Sequence, residues 1–374
     1  MKLTTAGESH GKALLAIVEG LPAHLKIDKA KINGALALRQ SGFGRGARQK
    51  IEKDEAEILS GVRGGETLGS PLALCIRNRD YESWKAYMSD GECDLSSRAV
   101  TRVRPGHADL SGMLKYGQSD ARNILERASA RETAIRVAAG EIFRQYLSAL
   151  GVEIAGYVRE VCGVKDGGRY AFNELAASKK TGLGMIDPEA ERAAEEKVSA
   201  LKSAGDTAGG VVEVRVRGLK SGFGSCMTYA DKLDARLAGA LMGIQAAKGV
   251  EVGIGFEAGS LSGKEVHDEI FYEGGFRRRT NRAGGIEGGM SNGEEIVLRA
   301  AMKPIPTLMK GLKTADFLTH EEAVAASERS DVCAIFFFLI IAEAAVAEVI
   351  ACAVAERLGG DTMAEAVERY ARLP

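Results

Sequence analysis

VCAIFFFLIIA, residues 332–342, is a continuous apolar run in a chain of 374 residues, and it leads into an Ala-rich stretch that ends at Ala355. Its reading decides the fold, because such a run either crosses a membrane or forms the centre of a core. Glu343 and Glu348 interrupt it, and the uncharged part falls short of the ~18 residues that a span takes. It therefore reads as a buried central element, a helix or a strand-helix pair. With 45% hydrophobic residues, the chain can bury a sizeable core around such an element. No membrane association is expected.

Around this element the pattern alternates strands with helices. Leu14 to Val18 reads as a short strand. Lys29 to Arg39 reads as a helix that brings Ile32, Leu36 and Arg39 together. Arg122 to Leu150 reads as largely helical, with Gly151 as its stop. A strand follows at Val152 to Tyr157, then a helix opened by the cap pair Asp187-Pro188. Val212 to Arg217 alternates like a half-exposed strand, Asp231 to Lys248 reads as a helix and Val250 to Phe256 as a strand. A strand ending at Gly20-Leu21 with a helix from Asp28 is echoed by one ending at Gly218-Leu219 with a helix from Asp231. The expectation is an α+β fold in one domain over residues 1–374, with internal duplication of a strand-loop-helix unit and two similar halves, about 1–205 and 206–374.

Fifty Lys plus Arg nearly balance fifty-one Asp plus Glu, so a net charge of -1 offers no long-range field for a nucleic acid. Any basic site must be local. The six cysteines are scattered without C-x-x-C pairs, which reads as reduced thiols in a cytoplasmic protein without a metal site. The opening MKLTTAGESHGK lacks the apolar core of a signal peptide, so export is not expected.

Two of the five histidines stand in unusual settings. His10 lies in GESHG, where glycines let the backbone turn sharply and approach a ligand. His107 lies in RVRPGHADL, where Pro105-Gly106 makes a turn and Asp109 is placed to orient the imidazole. Arg39, Arg45, Arg48, Arg104, Arg127, Arg131 and Arg329 stand beside Gly, Pro, Ser or Asp rather than in the charge ladders of a solvated helix. Arg45 is held in the glycine-rich GFGRGAR, and RASARET places Ser129 two residues from each of two arginines. Guanidinium forks match phosphate and carboxylate, so converging arginines imply a substrate with several anionic groups. The glycine-rich NRAGGIEGGMSNG and the KPIPT that follows it fit neither a Rossmann fingerprint nor a P-loop, but such a loop beside a lysine can cradle a phosphate or a flavin ring. Arg329-Ser330-Asp331 sets a cation and a carboxylate at the mouth of the apolar element, a suitable place for a base.

Together these segments resemble the chorismate synthase family. The resemblance runs in register through GESHG, GFGRGAR, EILSGVRGGETLGSP, RPGHADL, RASARET, DKLDARLAGALMGIQAAKG, GGIEGGMSNG, KPIPT and RSDVCA. It implies a layered β-α-β sandwich and a lyase reaction, the anti-1,4-elimination of phosphate and a C6 proton from 5-enolpyruvylshikimate 3-phosphate in aromatic amino acid biosynthesis. It also implies reduced FMN, with NADPH as indirect reductant, and a homotetramer. No reductase domain is apparent, so a monofunctional enzyme served by an external flavin reductase is expected. By resemblance His10 protonates the reduced flavin, His107 assists near the leaving phosphate, and Asp331 works with the flavin N5 as the base. Arg39, Arg45, Arg104 and Arg131 take the phosphate and carboxylates. The flavin falls to Arg127, Ala128, Ser129, Gln245, Ala246, Gly288, Lys303, Pro304, Ile305, Pro306, Thr307 and Arg329. Three departures stand out: Gln40 where many relatives carry a second arginine, Gln245 where asparagine is common, and an FFFLII run bulkier than usual.

Overall fold

The computed structural model describes residues 1–45, 53–326 and 331–374. Two antiparallel sheets form its outer layers. The first contains β1 (Lys2–Ala6), β2 (Ala13–Glu19), β3 (Glu57–Ser60) and β4 (Leu72–Arg77), in the order β1-β2-β4-β3. Leu14, Ala16 and Val18 of β2 point inward while Leu15 and Ile17 are exposed, as period-2 side chains require. The second contains β5 (Glu153–Val161), β6 (Gly210–Arg217), β7 (Ala247–Val252) and β8 (Ile296–Met302), in the order β7-β8-β6-β5, with the short strand Val164–Lys165 beyond β5. Counted from its own first strand, each set of four runs first-second-fourth-third.

Helices fill the space between. The α-helices of seven or more residues among those described are α1 (Lys29–Gln40), α2 (Asp109–Tyr116), α3 (Arg122–Ala128), α4 (Thr133–Ala149), α5 (Pro188–Ala204), α6 (Leu233–Met242), α7 (Ile335–Leu358) and α8 (Met363–Ala371), with α1, α4 and α7 forming the middle layer. α4 packs on β2 and β4, α7 packs on β5 and β6, and the two helices pack on each other. The result is a β-α-β layering. α7 is the apolar run read from sequence. Its composition would let it cross a membrane, yet 89% of its most apolar window is buried within the protein. It has no polar face because neighbours surround it, the second sheet on one side and α1, α4 and α6 on others. Gly140 permits the close approach of α4, since a Cβ there would lie 2.4 Å from that of Ala344.

The expected α1 is present, capped by Asp28, and buries Ile32, Leu36 and Arg39. Other expectations need correction. The helix expected over Arg122 to Leu150 breaks at Ser129, which is extended and whose hydroxyl accepts from the Arg131 N–H. A single tight turn, Ala130–Glu132, follows, and its Ala130 carbonyl accepts from Arg39 and from Thr133. The helix expected over Asp231 to Lys248 ends at Met242, and the chain turns through Ala246, at φ 69°, into β7. β7 therefore begins before Val250 and ends at Val252, where Gly253 (φ 60°) packs against the Arg282 carbonyl. On β6 the expected alternation holds, with Val212, Val214 and Val216 buried and Arg215 and Arg217 partly exposed, except at Glu213, which is buried under Arg159, Arg215 and Arg299. β5 already belongs to the second sheet, so the changeover between sheets falls well ahead of residue 205.

Candidate active site

Breaks and turns at one end of the helical layer face each other across a cavity of about 590 Å³. Its wall takes Ser9 and His10 from the β1–β2 turn, Arg39 and Arg45 from the end of α1 and the loop after it, and Arg104, Gly106 and His107 from the approach to α2. The α3–α4 break gives Ala128 to Arg131, the α6–β7 turn gives Gln245 and Ala246, and the segment after β8 gives Lys303, Ile305, Pro306 and Thr307. Asp331, Ala334 and Phe337 close it at the entry to α7. A cavity this large suits a ligand of cofactor size.

His10 is buried, with its Nδ1 at 2.9 and 3.0 Å from the two Glu126 oxygens and its backbone N–H donating to the same carboxylate at 2.8 Å. A carboxylate only accepts, so Nδ1 carries the proton and Nε2 is the nitrogen left for the cavity. Arg122 donates to Glu126 from one turn earlier, and Trp84, the chain's single tryptophan, stacks on the imidazole at 4.0 Å. Burial pushes the Glu126 carboxyl up, but hydrogen bonds and charge from His10, supported by Arg122, hold it below its ordinary value.

His107 repeats the pattern with a neighbour. Its Nδ1 lies 2.5 Å from Asp109, in the first turn of α2, and Arg104 grips the same carboxylate through Nε at 2.8 Å and Nη2 at 3.0 Å. The remaining Arg104 nitrogen, Nη1, donates to the Thr307 hydroxyl at 3.0 Å, which ties the His107 loop to KPIPT. Burial opposes ionisation of Asp109 most strongly, yet the hydrogen bonds and charges of His107 and Arg104 hold it well below the carboxylate range.

The same wall carries a buried cationic cluster. Arg131 donates to Asp54 at 2.7 Å and to Asn78 at 3.0 Å, Arg39 donates to Thr133 and to the Ala130 carbonyl, and Arg45 pairs with Asp331 at 2.9 Å. Burial, reinforced by the charge of Arg131, pushes the Arg39 guanidinium down to about 9. Burial also lowers Arg45, with Asp331 opposing it. Both remain cationic at neutral pH, and a multiply anionic ligand would supply the compensating charge. Gln40 does not line this wall; its side-chain oxygen accepts from the Asp54 N–H at 3.0 Å and so helps place the carboxylate that Arg131 holds.

The reduced FMN implied by resemblance can be tested against atoms of this wall. Gln245 Oε1 is buried without a hydrogen-bond partner among the described residues, an acceptor suited to the imide N–H of a flavin. Lys303 and Lys248 stand close enough that their charges repel, and burial and that repulsion lower the Lys303 ammonium, as befits a pair awaiting a phosphate. These residues fit the group. Others in the expected set stand apart from the cavity. Arg127 turns outward to Thr5 and the Gly7 carbonyl, Pro304 is absent from the wall, and Gly288 lies in the small hairpin of Ile286–Glu287 and Met290–Ser291. Arg48 and Arg329 lie outside the described residues. Glu126, Trp84, Asp54, Asn78, Lys248 and Phe337 escaped the sequence reading; only the solitary tryptophan carried a signal that could have drawn notice.

A family model described as chorismate synthase matches residues 1–355. The chorismate synthase of Geobacter metallireducens is 53% identical over 384 residues, covering 99% of this chain and 97% of the relative. That of Caldicellulosiruptor bescii is 50% identical over 379 residues, covering 100% and 99% respectively. A solved structure described as a crystal structure of chorismate synthase superposes with a TM-score of 0.80 at 38% identity, covering 99% of this chain and 96% of that one.

Proposed function

The chain belongs to the chorismate synthase family, and on that premise we propose that the cavity between His10, His107 and Asp331 is where its elimination takes place. As a chorismate synthase it removes phosphate and a ring proton from 5-enolpyruvylshikimate 3-phosphate, within the shikimate pathway of aromatic amino acid biosynthesis. The observation that carries the siting is the convergence of two carboxylate-held imidazoles and four buried guanidiniums on one wall.

Arg104 and His107 take the phosphate and stabilise its charge as the C–O bond breaks, with no water to reorganise. Arg39, Arg45 and Arg131 bind the carboxylates. Asp331, steadied by Arg45, receives the C6 proton, and His10 presents Nε2 toward the flavin side. Ala128, Ser129, Gln245, Ala246, Lys303, Ile305, Pro306 and Thr307 would hold the flavin from this wall; Arg127, Pro304 and Gly288, which stand apart from it, and Arg329, outside the described residues, belong to that set by family resemblance alone. Reduced FMN, when bound, supplies an electron-rich ring beside the substrate.

NADPH serves only as indirect reductant, through an external flavin reductase, and the enzyme is monofunctional. It works as a cytoplasmic homotetramer, a reading supported by six free thiols and by apolar Leu15, Ile17 and Leu59 exposed on the first sheet. The chain is one domain of two similar halves; the shared strand order of the two sheets supports duplication of a strand-loop-helix unit. The test is anaerobic incubation of the protein with photoreduced FMN and substrate. Release of phosphate with formation of chorismate is expected, and no release overturns the reading. Turnover with NADPH and oxidised FMN alone would overturn the monofunctional assignment.

A further inference from the structure

Phe337, in the first turn of α7, is the one phenylalanine, tyrosine or tryptophan among the described residues of the cavity wall. Its ring carries two cations: Arg39 Cζ lies over it at 4.6 Å from the centroid, and Arg45 Cζ at 4.9 Å. Both guanidiniums are almost wholly buried, with side chains 4% and 8% exposed. Buried cations need support, and here the kind of support matters. A further carboxylate would occupy N–H donors and cancel charge that the substrate's own anions need. An aromatic face attracts a guanidinium through its quadrupole while leaving the N–H edges free. Arg45 illustrates the result at one edge: its Nε is buried with no hydrogen-bond partner among the described residues, while its Nη1 pairs with Asp331 at 2.9 Å. The Asp54 carboxylate lies 3.7 Å from Arg39 and accepts its closer contact, at 2.7 Å, from Arg131.

Resting on the siting proposed above, we propose that Phe337 is a positioning residue for substrate recognition, its ring holding Arg39 and Arg45 charged and buried at the cavity wall, with Nε of Arg45 open for an anionic group of the substrate. Phe337 touches neither the breaking bond nor the departing proton. Its loss should therefore act on substrate affinity and leave the chemical step nearly intact. Loss of two cation-π contacts, in part replaced by other packing, predicts a loss of about tenfold in affinity.

The test replaces Phe337 with leucine, with methionine, and with mono-, di- and trifluorinated phenylalanine. Fluorination weakens the ring quadrupole while nearly preserving its shape, so a purely packing role would leave the series flat. The dissociation constant for 5-enolpyruvylshikimate 3-phosphate, measured by calorimetry on the full chain, should rise stepwise with fluorine number and reach about tenfold for leucine and methionine. In the assay with photoreduced FMN, KM should follow while kcat stays within about twofold. A flat fluorine series overturns the proposal, as does affinity within about twofold of wild type in either non-aromatic variant. If leucine fails to fold, the fluorinated series decides alone. If wild-type protein binds substrate but releases no phosphate, the siting of the reaction fails while the calorimetry still judges Phe337.

Discussion

His107 takes its carboxylate from two residues away, at the start of α2, whereas His10 takes its carboxylate from α3, 116 residues along the chain. The chemistry is the same in both places: Nδ1 donates to a buried carboxylate that an arginine also holds, Asp109 with Arg104 and Glu126 with Arg122. The supports differ. Asp109 binds an arginine that itself lines the cavity, so the His107 centre is one piece with the anion site. Glu126 binds an arginine behind the wall, and its imidazole is steadied by the Trp84 face instead, with Arg98 4.1 Å from the centroid of that indole. Equal imidazoles can thus rest on unequal foundations, and damage to the foundations should separate them.

Removing either imidazole should abolish the comparison itself. His10→Ala and His107→Ala should each lower kcat by about 10²-fold or more with the fold intact, measured by phosphate release and circular dichroism. An unchanged kcat in either removes that histidine from the mechanism. The carboxylates come next. Asp109→Asn should lower kcat/KM about 30-fold because it frees both His107 and Arg104, two groups of the cavity wall, and Glu126→Gln about tenfold because His10 is the only wall group it frees, Arg122 lying behind the wall, at roughly 1.5–3 kcal/mol per charged hydrogen bond. Equal losses would erase the distinction between the two foundations. Trp84→Leu should lower kcat only about threefold, the size of one stacking contact, and leave substrate KM unchanged. A raised KM would mean that Trp84 serves the anion site as well.

The smallest effect is on stability. Both carboxyls are held below their ordinary values, so each favours the folded state at neutral pH and ceases to do so as the pH falls through its folded-state value. The gap in Tm between wild type and Asp109→Asn should therefore narrow from about pH 7 to about pH 3. A constant gap contradicts the assigned charge state.

The same contrast explains what the sequence disclosed. RPGHADL held a histidine, its orienting aspartate and its arginine within seven residues, so that centre was legible as chemistry. Glu126 lies within a helical stretch and meets His10 only through the packing of α3 on the β1–β2 turn, a contact that no local pattern encodes. Apolar periodicity located α1 and β2, because burial of one face is written residue by residue, whereas an unbroken apolar run marked the buried element that folds as α7. It missed the break at Ser129 and the early end of α6, because both are set by partners distant in sequence or by backbone at positive φ. Phe337 read as core, and so it is, but the turn of α7 that buries it also brings it beneath two arginines.

Carbethoxylation of the five histidines, mapped by mass spectrometry with and without substrate and FMN, tests most directly whether both imidazoles face one ligand cavity. His10 and His107 should be protected by the ligands, while the exposed His24, His267 and His320 react equally in both conditions. Modification of His10 or His107 that ligands leave unchanged would contradict the shared cavity.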